Sequence, residues 1–358
     1  MKKTLLATAI VGALGASAAA QAATVYDQDG TRLDIYGRIA MGIAGGGPEF
    51  DSKDREIDNG AEFVDAASRL GLRMSQQVTS DLSAFGHLEW RFRADGGDNR
   101  FDAFHETRQS YIGLRSDQYG TIQAGTFDSF YNQFVSNPFD WQIDAGLEFA
   151  GGSKQSRGDS IGYYTPDLQG FTAFLQLKHY SERGQFERNQ EPDFELPEGG
   201  EFVTDKGSVV AAQGGVRYAE GPVTVALGFV DDVVRGGGNG EMLYGLIGSY
   251  DITDQWSVRL GYEGRDNSSE FGGGFDTVGL GGTFTTGPWA FSVDYYNIER
   301  DDASNSNSWS AGAYYKVSSN FDVFAELADG DAPSVDRDTT LGDLTDNVYW
   351  LTGARYHF

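Results

Sequence analysis

The 358-residue chain contains no cysteine, which excludes disulfides, thiolate metal sites and cysteine nucleophiles together. Its formal charge of −26 predicts repulsion of nucleic acid and of anionic surfaces, so nucleic-acid binding is excluded. With 49 glycines, only 8 prolines and 13% aromatic residues, the composition is typical of a turn-rich β protein and argues against disorder.

The first residues have the pattern of a secretory signal peptide. A basic start precedes a mainly apolar run over residues 4–20, and Ala20-Gln21-Ala22 supplies a small-x-small cleavage pattern. We therefore predict a signal peptide over residues 1–22 and a mature chain from Ala23. Its removal leaves 25 basic against 53 acidic residues, a net charge near −28. No other segment approaches the roughly 18 apolar residues that a spanning helix needs.

Beyond this leader we predict sixteen strands, and two kinds of connection occur between them. One set is tight and rich in turn residues, and the alternate set is longer and polar. Short turns at one end and long loops at the other are typical of a barrel in an outer membrane. The tight set lies at residues 79–82, 166–170, 219–222, 253–255, 286–288 and 318–320. The long set lies at residues 45–67, 94–106, 181–207, 235–241, 266–275, 301–308 and 330–346.

The strands alternate in polarity, as expected when one face meets lipid and the other meets water. In residues 33–43 the apolar positions alternate with Tyr36 and Arg38, and in residues 83–94 they alternate with a set that includes Glu89. An Arg or Lys at the centre of the lipid face costs about 2–4 kcal/mol. The charged set therefore faces a wet interior.

Aromatic residues beside the tight turns predict a belt at the membrane interface. They are Phe85, Tyr164, Phe171, Tyr218, Tyr250, Trp256, Phe284, Trp289 and Phe321.

One long loop, residues 126–159, has no strand period. It carries eight large apolar side chains, too many for a solvated segment. We predict that the long loop folds into the barrel lumen, packs against the wall, and points Asp144 and Glu148 into the remaining aperture. The large apolar residues are Phe127, Phe130, Tyr131, Phe134, Phe139, Trp141, Leu147 and Phe149.

The chain resembles the trimeric general diffusion porins of Gram-negative outer membranes over essentially the whole mature sequence. The matching pieces are LDIYGR at residues 33–38, SRLGLR at 68–73, TRQSYIGL at 107–114 and a last strand ending in an aromatic residue. The resemblance implies an all-β fold, a 16-stranded antiparallel transmembrane β-barrel over residues 23–358 with an inward-folded third loop. It also implies that Phe358 is a signal for the barrel-assembly machinery.

The same resemblance implies a charged constriction. Asp144 and Glu148 would face a basic cluster that maps to four positions, Arg38, Arg69, Arg108 and Arg157. The long loop departs from the family at Leu147, where a proline is usual, and at Gly152, where an acidic residue is usual.

Strand alternation gives an independent reason to place arginines at this constriction. It puts Arg38 and Arg69 inward, and Arg108 as well if Tyr111 faces outward. Opposed charges across water produce a transverse field, and the same groups can also form a salt-bridge network that stiffens the barrel.

The function predicted is passive diffusion of ions and small hydrophilic solutes, with cations preferred because the chain is acidic. The resemblance implies a homotrimer embedded in outer-membrane lipid and lipopolysaccharide. No cofactor or metal is expected, since none of the 4 histidines is spaced as a metal-binding pair. Two alternatives stay open. A substrate-specific sugar channel would want a line of lumen aromatics, and a barrel enzyme would need a nucleophile and a base together, which the sequence does not offer.

Overall fold

The computed structural model describes residues 22–49, 58–95, 104–149, 160–180, 209–231, 242–265, 273–332 and 347–358. Nearly all of the predicted signal peptide, the last part of the long loop and much of the long polar connections lie outside the described residues. The described residues form eighteen β-strands. In chain order they are β1 (Ala23–Gln28), β2 (Thr31–Gly46), β3 (Glu62–Asp65), β4 (Arg69–Gln77), β5 (Leu82–Phe92), β6 (Phe104–Ser116), β7 (Gly120–Thr126), β8 (Ser160–Tyr164), β9 (Phe171–Tyr180), β10 (Val209–Glu220), β11 (Val223–Asp231), β12 (Met242–Asp251), β13 (Trp256–Arg265), β14 (Phe275–Thr286), β15 (Trp289–Arg300), β16 (Ser306–Lys316), β17 (Phe321–Ala332) and β18 (Tyr349–His357).

Two of the barrel strands are built from two segments each. β3 and β4 both pair with one edge of β2, at residues 41–44 and 31–38 respectively. On the other edge of β2, β18 pairs with residues 38–46 and β1 with residues 31–35. Counting each combination once gives sixteen antiparallel strands, and the β18–β2 pairing closes the ring. The 16-stranded antiparallel barrel predicted from the sequence is confirmed.

The tight turns lie where the sequence predicts them. Each of the six joins two consecutive strands, from β4–β5 to β16–β17. A seventh turn joins β6 to β7 and is absent from the prediction, because residues 117–119 contain no Gly or Pro. Here the Ser116 hydroxyl accepts hydrogen bonds from the backbone N–H groups of Gln118 (3.1 Å) and Tyr119 (2.9 Å). Gly120 then completes the reversal with a φ of 85°, a conformation that favours glycine.

The two faces of the sheet differ in character. On one face large apolar side chains stay exposed, among them Leu227, Leu260 and Leu280. The other face carries polar side chains such as Gln213 and Glu263, which are almost completely buried. Exposed apolar groups are the surface expected of a barrel whose outside meets lipid, so the polar face lines the interior.

Part of the predicted aromatic belt lies on the outer face. Trp256 stacks on Phe284 with ring centroids 4.4 Å apart, and Trp289 packs on Tyr315 at 4.7 Å. Phe85 and Tyr164 do not join the belt, because they turn to the polar face. Phe85 meets the ring of Tyr111 at 6.2 Å, and Tyr164 meets the ring of Phe130 at 5.6 Å. Their strand-end positions alone do not reveal this orientation.

The main apolar core lies between the long loop and the barrel wall. After β7 the loop forms a π-helical turn, Asn132–Ser136, and a 3₁₀ turn, Asn137–Phe139. No helix within the described ranges is long and apolar enough to cross a membrane. Loop and wall side chains together form one buried cluster. Its fully or nearly fully buried members are Phe127, Phe130, Tyr131, Val135, Phe139, Phe149, Phe174, Ala226, Val230, Leu243, Ile247, Tyr296 and Ile298.

Candidate functional site

The first part of the long loop is hydrogen-bonded to buried side chains of β9 and β10. The Gln176 side-chain oxygen accepts from the backbone N–H of Phe130 at 2.9 Å. The Gln213 side-chain oxygen accepts from the Ser129 hydroxyl at 2.6 Å and from the Tyr131 N–H at 3.0 Å. Polar side chains at inward positions thus satisfy loop backbone groups that the strands do not pair.

Tyr131 extends this attachment to β13. Its hydroxyl donates to Oε1 of Glu263 at 2.6 Å, and both side chains are fully buried. Burial and the neighbouring Glu263 carboxylate raise the pKa of the Tyr131 phenol. The phenol therefore remains protonated and able to donate at neutral pH.

The middle of the long loop is held by two buried carboxylates. Nε2 of Gln142 donates to Oδ2 of Asp294 at 3.0 Å, and the backbone N–H of Ile143 donates to Oε1 of Glu326 at 2.7 Å. Asp294 is itself bound by Arg259, whose Nε lies 2.6 Å from Oδ1 and whose Nη2 lies 2.8 Å from Oδ2. The Arg259 guanidinium also lies over the ring of Phe139 at 5.5 Å. The long loop therefore occupies the side of the lumen that is lined by β15 and β17.

The two acidic residues predicted for the aperture are hydrogen-bonded to wall hydroxyl groups. Tyr349 of β18 donates to Oδ2 of Asp144 at 2.7 Å, and Ser308 of β16 donates to Oε1 of Glu148 at 2.7 Å. Asp144 is exposed and Glu148 is half-buried. Leu147 packs against the main apolar core, and Gly152 lies outside the described residues.

Arginines form a row on the wall of β2, β4 and β5. Arg38 is directly opposite Arg69 in the β2–β4 pair, and Arg69 is directly opposite Arg91 in the β4–β5 pair. Like charges in opposite positions destabilise a sheet unless other groups compensate. Nε of Arg38 donates to the backbone oxygen of Ala67 at 2.8 Å. Arg157, the fourth predicted member of this cluster, lies outside the described residues.

The Ala67 oxygen is available because the chain bulges between β3 and β4. Ala67 has a φ of 67°, in the left-handed region. The Ser68 hydroxyl accepts from the N–H of Ala40 at 2.9 Å and donates to the Ala40 oxygen at 3.1 Å. A side chain thus replaces the backbone pairing that the bulge interrupts. The displaced carbonyl of Ala67 is left free to accept from Arg38.

Arg108 also faces inward on this wall, but for a structural reason different from the predicted one. Strand alternation turns Arg108 inward only if Tyr111 faces outward, but Tyr111 faces inward, where its hydroxyl lies 2.9 Å from Nδ1 of His87. The register of β5 and β6 shifts at this point, with Glu89 opposite Gln109 and Trp90 opposite Thr107. The shift leaves Arg108 as an additional residue in β6. A bulge of this kind turns two successive side chains to one face.

Glu89 contacts these arginines, and strand alternation alone does not predict the contact. Its Oε1 lies 2.6 Å from Nη1 of Arg108 and 3.7 Å from Nη1 of Arg69, and its Oε2 accepts from the Tyr36 hydroxyl at 2.7 Å. Only 5% of Glu89 is exposed. The sequence placed it inward, and a row of inward arginines is itself a signal that a counter-charge is needed among them.

Two other loop acids interact with the arginines. Oδ2 of Asp128 is 3.5 Å from Nη2 of Arg108. Asp140 is exposed to water but surrounded by protein, and reduced hydration together with the nearby Asp128 carboxylate raises the pKa of Asp140, against the opposing effect of Arg108, Arg69 and Arg38. The sequence signal for these acids was their position on the same loop, without a motif to single them out.

Comparison with known proteins matches this chain to porins. Residues 7–333 match the Gram-negative porin family. A "Monosaccharide porin" of a Halomonas species is 28% identical, covering 99% of this chain and 91% of that protein. An outer membrane porin protein of Bordetella pertussis is also 28% identical, covering 98% of this chain and 89% of that protein.

Solved porin structures share the fold of this chain. OmpF of Salmonella typhi in complex with daunomycin has a TM-score of 0.67 and 17% identity, over 94% of this chain and all (100%) of that one. An anion-selective porin from Comamonas acidovorans has a TM-score of 0.65 and 18% identity, over 92% of this chain and 100% of that one.

Proposed function

This chain belongs to the Gram-negative porin family, and on that premise we propose that it forms an outer-membrane pore for passive diffusion of ions and small hydrophilic solutes, with cations preferred. The observation that carries the proposal is the asymmetry of the lumen. The long loop is hydrogen-bonded along β9, β10, β13 and β15–β18, whereas the arginine row lies on β2, β4 and β5, with Arg108 of β6 beside it. The solute path runs between the two.

The charges beside this path support the cation preference. Four guanidinium groups, those of Arg38, Arg69, Arg91 and Arg108, are accompanied by six carboxylates on the wall and the loop. The carboxylates are Glu89, Glu106, Asp128, Asp140, Asp144 and Glu148. Two unit charges about 10 Å apart interact by roughly 0.4 kcal/mol in water and roughly 1.7 kcal/mol at an effective dielectric constant of 20. Such a field orients polar solutes without trapping them.

Recording from single channels in a planar bilayer tests the proposal. Under a gradient of potassium chloride the reversal potential is expected to have the sign of a cation-selective pore. The preference should weaken near 1 M salt, where the Debye length is only about 3 Å. A protein that refolds but conducts no current, or one that selects anions in dilute salt, would contradict the proposal.

The assembly that we propose is a homotrimer in outer-membrane lipid and lipopolysaccharide, delivered by the barrel-assembly machinery through its terminal Phe358. A structural neighbour, OmpT of Vibrio cholerae, is described in a trimer form, with a TM-score of 0.63 and 15% identity. The Phe358 backbone exchanges hydrogen bonds of 2.8 and 3.0 Å with Gly37. Light scattering in detergent is expected to give the mass of three chains, and a monodisperse monomer with full conductance would contradict the trimer.

A monosaccharide channel is the second candidate, favoured by the name of the Halomonas relative. Family and fold point to a channel rather than to an enzyme. The half-exposed Trp141 indole, with the Arg259 guanidinium 5.7 Å from its ring, offers an aromatic surface at the loop. Swelling of proteoliposomes in isotonic glucose and in an amino acid of similar size separates the two functions. A general pore admits both at similar rates, whereas a sugar channel admits glucose faster.

A further inference from the structure

Two pairs of facing glycines form notches in the barrel wall beneath the long loop. Gly228 of β11 is directly opposite Gly245 of β12, and Gly261 of β13 is directly opposite Gly279 of β14. None of the four has a φ in the left-handed region, so the backbone conformation does not require glycine. Glycine inside a strand weakens it and often marks the close approach of another group.

Loop side chains fill both notches. A methyl group added to Gly261 would lie 2.6 Å from Cζ of Phe149, and one added to Gly279 would lie 2.7 Å from the same atom. In the other notch, a methyl group added to Gly228 would lie 2.7 Å from Cγ2 of Val135.

Tyr131 crosses this second notch to reach Glu263. A methyl group on Gly245 would lie 2.9 Å from Cζ of Tyr131 and would collide with its hydroxyl oxygen. That oxygen is the atom that donates to the Glu263 carboxylate. The absence of a side chain at Gly245 is therefore a condition for the bond between loop and wall.

We propose that these two glycine notches seat the long loop against the wall and so set the width of the pore, an inference that rests on the pore function proposed above. The notch of Gly228 and Gly245 receives the start of the loop, and the notch of Gly261 and Gly279 receives Phe149. The rings of Tyr131 and Phe149 therefore lie close to the strand backbone at the glycines. The loop then projects less toward the arginine row than it would over a wall of ordinary side chains.

An added methyl group would force the loop away from the wall. Carbon atoms in contact are normally about 3.5–4.0 Å apart, so a group at 2.7 Å displaces the ring by roughly 1 Å. Phe149 cannot yield sideways, because it packs on Phe139 at 4.8 Å and on Tyr296 at 5.4 Å between ring centroids. The displacement is therefore directed into the lumen, toward the arginines.

Single-channel conductance of Gly279→Ala and Gly228→Ala tests this inference. For each variant we expect conductance to fall by roughly a quarter to a half, because the narrowest section loses area. Gly282→Ala is the matched control, since it lies on the same strand and its added methyl group would meet only the Ser257 oxygen, at 3.6 Å. Adding Phe149→Leu to Gly279→Ala shortens the seated side chain and should restore much of the conductance.

The outcomes separate the inference from the pore function. A wild-type protein that conducts, together with notch variants of unchanged conductance, would refute the seat and leave the pore function standing. A wild-type protein that refolds without conducting would overturn both. If Gly279→Ala refolds poorly, the added Phe149→Leu substitution should recover the refolding yield, and a yield that stays low would also refute the seat.

Discussion

At the scale of single residues, charge at the aperture depends on a small number of buried contacts. Glu89 contacts Arg108 and Arg69 at once and accepts a hydrogen bond from Tyr36. One carboxylate therefore reduces the repulsion between two guanidinium groups, and it also lowers the net positive charge of the arginine wall.

Replacement of Glu89 by glutamine is expected to shift the reversal potential toward anions and to destabilise the barrel. Loss of one partner from a buried ion pair costs about 3–5 kcal/mol, and here two arginines lose it. Reversal potentials in dilute salt and denaturant unfolding of the refolded protein measure the two effects. Asp254→Asn in the exposed β12–β13 turn removes the same charge and should change neither. Equal reversal potentials for both variants would contradict this role of Glu89.

The loop acids make a second prediction at this scale. Asp144→Asn with Glu148→Gln removes two charges held by wall hydroxyl groups, and Asp128→Asn with Asp140→Asn removes two charges near the arginines. Both double variants should shift selectivity toward anions in dilute salt, where the Debye length at 0.1 M is about 10 Å. The second variant should give the larger shift, because Asp128 lies 3.5 Å from the Arg108 guanidinium, whose positive charge is then less compensated. If Asp144→Asn with Glu148→Gln shifts selectivity more than the other pair does, the permeating ions pass along β16–β18 instead.

Alternation of polarity was enough to place Arg38, Arg69 and Glu89 on the inner face from the sequence. It was not enough to assign the contacts of Glu89, which depend on which strands are neighbours. The inward orientation of Arg108 comes from a bulge, because strand alternation alone would require Tyr111 to face outward, and Tyr111 faces inward. A bulge reflects the register between two strands, and one strand's own pattern does not encode it.

At the scale of elements, irregular positions in the strands determine where the arginines lie. The break between β3 and β4 exposes the Ala67 oxygen to Arg38, and Ser68 repairs the pairing with β2 through two hydrogen bonds to Ala40. The tight turns, by contrast, were predictable because their residue types fix local geometry without reference to other strands.

Ser68→Ala is expected to lower the free energy of unfolding by about 1–3 kcal/mol, because it leaves the buried backbone N–H of Ala40 without its partner, while the Ala40 oxygen still accepts from the Ala66 N–H at 3.0 Å. Denaturant unfolding in detergent measures the loss. Ser75→Ala, at an exposed position of β4, is the matched control and should cost less than about 0.5 kcal/mol. If the two variants unfold at the same denaturant concentration, Ser68 does not support the bulge.

At the scale of the whole molecule, the barrel is an outer-membrane wall that surrounds a core built by its own loop. The closed barrel was predictable from the alternation that its strands repeat between turns, apart from the β6–β7 turn, which has no Gly or Pro signal at residues 117–119. The seat of the long loop was not, because it depends on glycine pairs brought together by the register of β11–β14. In sequence these glycines resemble any others among the 49.

Closure of the ring yields the last prediction. β1 continues the line of β18 along β2, and all six of its side chains are exposed, so it contributes mainly backbone hydrogen bonds. Deletion of residues 23–28 would leave that edge of β2 unpaired beside lipid, where each unsatisfied group costs several kcal/mol. The temperature at which the folded band disappears on unheated gels should fall by roughly 5–10 °C or more. Tyr26→Thr keeps the backbone and should leave that temperature unchanged, whereas a deletion variant as heat-resistant as the full chain would mean that β18 alone closes the barrel.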